Sequence, residues 1–264
     1  MAEEQRPIKS IEDLYNARPN VDNSAAFEVL WETLVGLFNK LSQRFELTQH
    51  PSSKKWETYK SEDGKFEGSL RTFSGPEVDW LVYSWTGQPK SSFCNMHLNV
   101  WLGPQTDVPH ISFVFGTVPD LFAYTDFPPR RDLWSNCDYA DKYYEPYNKQ
   151  ALKWRADPRL NFFISESVYM RVCLSPNAIC HTGEVNLPLM GELRDEYFQR
   201  CDTWIKWVNE AVKLPVAEQA QMHERDLYIR REVANRDPVN SLAEKFFGKP
   251  MTDKLIDALW GVER

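Results

Sequence analysis

The chain has 264 residues, a formal net charge of −7, 42% apolar residues and 14% aromatic residues, with ten Trp. This composition excludes a disordered chain, and the length suffices for a sizeable core. The acidic balance argues against sequence-independent binding to nucleic acid or to an anionic membrane, both of which need a basic surface.

Taken in chain order, residues 1–20 read as an N-terminal arm. The start, MAEEQRPIKSIEDL, has neither the apolar core of a secretion signal nor the Arg/Ser-rich character of a transit peptide. No apolar run is long enough for a bilayer span. A cytoplasmic protein is expected, or a plastid stromal one from which a transit peptide has been removed. Residues 24–45, SAAFEVLWETLVGLFNKLSQRF, carry apolar residues at helical spacing behind two capping types, Asp22 and Asn23. Between 66 and 128 the period changes to two: FEGSLRTFSG, VDWLVYSWTG, SFCNMHLNVWLG, HISFVFGT and LFAYTDF are aromatic, β-branched runs parted by Gly, Pro, Asp and Ser. The connections between them are short, which makes neighbouring strands antiparallel.

Past Pro128 the pattern turns helical. Residues 138–157, 192–213, 217–237, 237–248 and 252–261 are the candidate helices, and SVYMRVC (167–173) reads as a further strand. Strands in one block with helices on both sides predict a three-layer α/β/α sandwich with a central antiparallel sheet, organised as a single domain over 1–264.

Several chemistries have no support. GxGxxG, P-loop, HExxH and GxSxG motifs are absent, so neither a bound nucleotide cofactor nor a zinc-protease or serine-hydrolase site is expected. The five cysteines are odd in number and form no CxxC pair, which disfavours a disulfide framework or a thiolate metal site and fits free thiols in a reducing compartment. No metal ligand set is assigned.

The stretch NMHLNVWLGPQTDVPHISFV (95–114) holds two of the five histidines. As a strand, residues 95–102 put Met96, Leu98, Val100 and Leu102 on one face and Asn95, His97, Asn99 and Trp101 on the other. In the next strand His110, Ser112 and Val114 share a face. Both histidines have an ordinary reading as half-exposed strand residues. They also have a sharper one as general acids lining a cavity, since imidazole titrates near neutrality.

The segments TDFPPRRDLWSNCDYADKYYEPYNKQAL (125–152), SESVYMRVCLSPNA (165–178), TDVP (106–109) and FFG (246–248) occur in the order found in red chlorophyll catabolite reductases, which this chain resembles over roughly residues 66–262. It also resembles the wider ferredoxin-dependent bilin reductases. The resemblance implies a sheet between helices, an open-chain tetrapyrrole held between sheet and C-terminal helices, no bound redox cofactor, and reduced ferredoxin as external electron donor. In NRDPVNSLAEKFFG it implies a proton donor at Asp237, although Asn240 and Ser241 stand where the family has Arg and Gly. Alone, Asp237 before Pro238 is an ordinary helix cap.

By the same likeness His97 falls on a pocket histidine. The family's second pocket carboxylate falls on Val114, which cannot donate a proton; Asp120 or His110 are the possible substitutes. His97 and Asp237 are the expected catalytic pair. Asn99, His110 and Val114 are expected to line the pocket, and Arg171 to clamp a propionate, its ordinary reading being a paired surface charge. The missing acid leans the substrate towards a biliverdin-type bilin over red chlorophyll catabolite. The alternative to an enzyme is a non-catalytic tetrapyrrole carrier. Arg130–Arg131 and Lys149, Lys153, Arg155 and Arg159 are the candidate docking charges for acidic ferredoxin. Monomer and homodimer are both open.

Overall fold

The structure is a computed structural model. It describes residues 21–88 and 93–262, together with Ile8–Lys9, Glu12 and Leu14. Most of the expected N-terminal arm lies outside the described residues.

Its centre is a nine-stranded sheet. The strands are β2 (Thr48–Gln49), β3 (Tyr59–Lys60), β4 (Glu67–Ser74), β5 (Val78–Gly87), β6 (Cys94–Leu102), β7 (Ile111–Thr117), β8 (Leu121–Asp126), β9 (Asn161–Phe162) and β11 (Ile179–Gly183). Their order is β2-β4-β5-β6-β7-β8-β11-β9, with β3 also on β4, and every pairing is antiparallel. A separate parallel pair joins β1 (Ile8–Lys9) to β10 (Ile164–Ser165).

Helix α1 (Ser24–Arg44) covers one face together with α5 (Leu187–Asn209). Asp22 Oδ1 accepts the Ser24 N–H at 2.9 Å in the turn that leads into α1, while Asn23 holds the cap position without a side-chain cap bond. Asn23 instead donates from Nδ2 to the Pro119 carbonyl. Leu34, Leu37 and Leu41 of α1 pack with Leu193, Tyr197 and Trp204 of α5 onto Met96, Leu98, Phe113 and Phe115, and all of these are buried. Leu98 alone contributes about 2 kcal/mol of hydrophobic stabilisation by leaving water completely.

The other face carries α6 (Val216–Arg236), α7 (Val239–Phe247) and α8 (Lys249–Trp260), while α2 (Cys137–Tyr143), α3 (Glu145–Arg155) and the short α4 (Val168–Val172) lie between the strand block and α5. Two layers of helix on an antiparallel sheet match the expected sandwich.

Two elements differ from the sequence reading. SVYMRVC is not a strand: the Ser167 hydroxyl accepts the Met170 N–H, a side-chain cap that winds Val168–Val172 into a helix. The strand that does complete the sheet, β11, follows it in ICHTG, five residues that sequence periodicity alone does not separate from the surrounding loop.

Candidate functional site

Between the second sheet face and α6–α8 lies a cavity of about 610 Å³, closed at one side by residues 163–174. Its floor is one in-register row of side chains crossing five strands: Ser84, His97, Val114, Tyr124 and Cys180, each the Cα partner of the next. Asn99 and Ser112 form the neighbouring row, and the Ser112 hydroxyl donates to Asn99 Oδ1. Period-two alternation sends these polar side chains to the cavity and their neighbours Met96, Leu98 and Phe113 to the filled side.

His97 sits in the middle of the floor, with Nε2 3.4 Å from Asn95 Nδ2. Burial pushes its pKa down to about 4, which favours the neutral ring. It is therefore not a ready acid at neutral pH, contrary to the expectation that an imidazole there already titrates in the working range.

Asp237 is on the opposite wall, where α6 ends. Its N–H donates to the Val233 carbonyl, and Oδ1 accepts the Val239 N–H at 3.0 Å, so the carboxylate caps the turn into α7. The same carboxylate lines the cavity, and burial raises its pKa above the usual carboxylate range. Cap and pocket residue are one group. Among the described lining residues Asp237 and Glu166 are the carboxyl side chains.

Val114 lines the floor beside His97, so the position where a second acid was expected is apolar. Asp120 lies in the turn before β8, away from the lining, and does not replace it.

His110 also lines the cavity but precedes β7 instead of lying within it. It is buried, and its Nδ1 accepts the Leu102 N–H at 3.0 Å while Nε2 lies 3.3 Å from Asp226 Oδ2. Burial outweighs the Asp226 charge and lowers its pKa to about 4. With Nδ1 accepting the Leu102 N–H, the ring's one proton is on Nε2 and faces Asp226, so His110 stands between sheet and α6 and turns that proton away from the cavity.

Arg171 needs correction. It belongs to α4, is exposed, and donates from Nη1 to the carbonyls of Ser165 and Glu166, both at 2.8 Å. It does not line the cavity. Arg130 is also reassigned, because it is buried and cannot form a docking surface. Arg130 donates from Nε (3.0 Å) and Nη2 (2.6 Å) to Asp226, and from Nη1 to the carbonyls of Gly103 and Thr106. Arg131 pairs with Asp107 and Glu218, and Arg159 with Asp157 and Glu192. Of the proposed docking charges, Lys149, Lys153 and Arg155 are exposed on α3.

Sequence reading missed Arg225. It lines the cavity from α6, on the stripe Arg225, Ile229, Val233, Asp237, whose members recur every four residues. That spacing was a usable signal, masked by the many charges of HERDLYIRREV.

The segments that carried the resemblance hold this architecture together. Asp126 accepts the N–H of Ser175 at 2.8 Å and its hydroxyl, which ties TDF to SPNA. Arg130 of PPRRDL ties the loop after β8 to α6.

The red chlorophyll catabolite reductase family matches residues 28–260. Red chlorophyll catabolite reductase 1, chloroplastic, of Oryza sativa subsp. japonica is 25% identical over 211 residues, which are 73% of this chain and 64% of that protein. The Hordeum vulgare red chlorophyll catabolite reductase is 25% identical over 168 residues, 59% of this chain and 82% of that protein. This chain thus spans under two thirds of the rice relative's length. In fold it is similar to the crystal structure of tomato phytochromobilin synthase in complex with biliverdin, with a TM-score of 0.78, 16% identity, and coverage of 88% of this chain and 83% of that one. The chain belongs to the red chlorophyll catabolite reductase family.

Proposed function

We propose that the protein reduces an open-chain tetrapyrrole with single electrons from reduced ferredoxin, protonating it from Asp237 and His97. The observation that carries this reading is the facing arrangement of those two groups across a cavity of about 610 Å³. That volume is within the range of about 300–1,000 Å³ that encloses a small-molecule ligand.

The two groups divide the chemistry. Asp237 has a raised pKa, because burial favours its protonated form. His97 is neutral until negative charge appears in the cavity. An electron arriving on the pigment supplies that charge and raises the pKa of both side chains: Asp237 gives its proton to the reduced pigment, and His97 takes a proton from solvent through the cavity opening and passes it on, so proton transfer follows electron transfer. Residues 163–174, which wall one side of the cavity, limit the access of bulk water to the reduced pigment. Family membership favours a chlorophyll-derived substrate. The Val114 floor, with one acid fewer, favours biliverdin as the second candidate. The name of the rice relative fits a plastid setting, and no helix among the described residues is long and apolar enough to cross a membrane.

An anaerobic assay with a ferredoxin-reducing system, given red chlorophyll catabolite and biliverdin in turn, tests this reading. Bleaching or a blue shift of the pigment, with product released, is expected. A stable red-shifted complex with no turnover of either pigment establishes a carrier instead.

A further inference from the structure

We propose that Arg225 is the carboxylate anchor of the cavity, fixing one free propionate of the substrate; this rests on the tetrapyrrole reading above.

The argument is one of charge and position. Asp226 is ionised: burial opposes this, but the Arg130 guanidinium, bonded to Oδ2 from Nε and Nη2, holds its carboxyl well below the usual range. Two guanidinium groups share that one carboxylate. Arg130 lies 2.6 Å from Oδ2 and Arg225 3.2 Å from Oδ1. His110, the third neighbour, is neutral. The cluster thus holds one positive charge more than it neutralises.

Arg130 has no freedom to use that charge, being buried and committed to Asp226, Gly103 and Thr106. Arg225 is the partly open member. It donates from Nη1 to Asp226 and from Nη2 to the Pro129 carbonyl, and these two contacts leave other N–H groups of the fork for a ligand. Among the described lining residues Arg225 is the Arg or Lys, while His97 and His110 are held neutral. A carboxylate entering this mostly apolar space therefore has one cationic partner.

Position adds selectivity. Arg225 and Asp237 lie on the same stripe of α6, about 18 Å apart along the helix axis at 1.5 Å per residue. A pigment anchored by a propionate at Arg225 would present a distant part of its conjugated chain to Asp237. The anchor would then fix which ring faces the proton donor. With a single cation, the cavity holds one carboxylate and leaves any second at the opening.

The test is a visible-absorption titration of the full chain with biliverdin and with its dimethyl ester, using wild type, Arg225→Gln and Arg225→Lys. Wild type is expected to bind the free acid at least about tenfold more tightly than the ester, as a charge-assisted pair implies. Arg225→Gln should erase that preference while leaving ester affinity within about twofold, and Arg225→Lys should retain only part of it. Because Arg225 also holds Asp226 and Pro129, ester binding doubles as the check that Arg225→Gln is folded; if it is not, Arg225→Lys decides. An equal affinity of wild type for acid and ester, or an undiminished preference in the substituted protein, overturns the assignment. Failure of folded wild type to bind biliverdin, its ester or red chlorophyll catabolite in the same titration overturns the tetrapyrrole reading itself, an outcome distinct from the loss of acid preference.

Discussion

The two faces of the sheet are built from the same strands and have opposite characters. On the α1/α5 side Met96, Leu98, Phe113 and Phe115 are buried against Leu37, Tyr197 and Trp204 with the interface filled. On the α6–α8 side the alternate residues of those strands, among them His97, Asn99 and Ser112, border a void. One face stabilises and the other keeps space. Polar residues tolerate that space because their hydrogen bonds are made locally, as between Ser112 and Asn99. The difference teaches that the filled face must supply the stability that the cavity face gives up.

The largest expected effect is on the cavity face. Asp237→Asn keeps an acceptor for the Val239 N–H but removes the proton, and should lower kcat by about 10²–10⁴-fold with pigment binding nearly unchanged. Because burial raises its pKa, wild-type kcat should fall as pH rises through that value, and the fall should vanish in the variant. His97→Gln should cost about 10²-fold by the same assay. Wild-type turnover in both variants would remove the pair from the mechanism. The filled face should behave in the opposite way. Leu98→Ala should lower unfolding free energy by about 2–5 kcal/mol in denaturant titrations, yet leave kcat per folded molecule unchanged. A loss of kcat there would mean that the two faces are not separable.

How much of this was legible follows from the kind of signal each part emits. The alternation in CNMHLNVWL and ISFVFGT is strong, so the strands, their antiparallel pairing and the two faces were readable. Register was not, because hydrogen bonding between strands leaves no mark on either strand alone; the row Ser84, His97, Val114, Tyr124, Cys180 emerges only from pairing. Parity put His97 and Asn99 on the polar face of their strand and Val114 on the face of His110; that these faces border a pocket came from the family resemblance. Arg171 was misplaced because the strand-forming types Val168, Tyr169 and Val172 outweighed a single capping Ser167. His110 kept its side of the sheet but not its role. Its partner Asp226 lies 116 positions on, and nothing local in the sequence links the two. Arg130 looked like surface charge for the same reason.

The smallest expected effect compares two histidines, one on each side. His181 on β11 follows Ile179 by two residues and so faces the filled side, fully buried, with a T-shaped contact to the Phe162 ring at 5.5 Å. Neither ring nitrogen has a hydrogen-bond partner among the described residues. Burial, helped by the nearby Arg155, lowers its pKa to about 4. Below pH 6.5 the unfolded chain takes up a proton that the folded chain refuses until about pH 4, so stability falls as pH drops through that window. At pH 5 the cost from this one residue is about 2 kcal/mol, against nearly none at pH 7. His181→Leu should therefore shrink the loss of unfolding free energy between pH 7 and pH 5 by about that amount, measured by urea titration at the two values. The difference between the two pH values is the reading, since replacing an unpartnered ring with Leu shifts stability at both. His97 has the same lowered pKa but faces the cavity, where an anionic pigment changes its surroundings. Added pigment should thus alter the acid sensitivity that His97 contributes and leave the share of His181 as it was. A His181→Leu profile that superimposes on wild type would show that this ring finds a proton partner on the filled side.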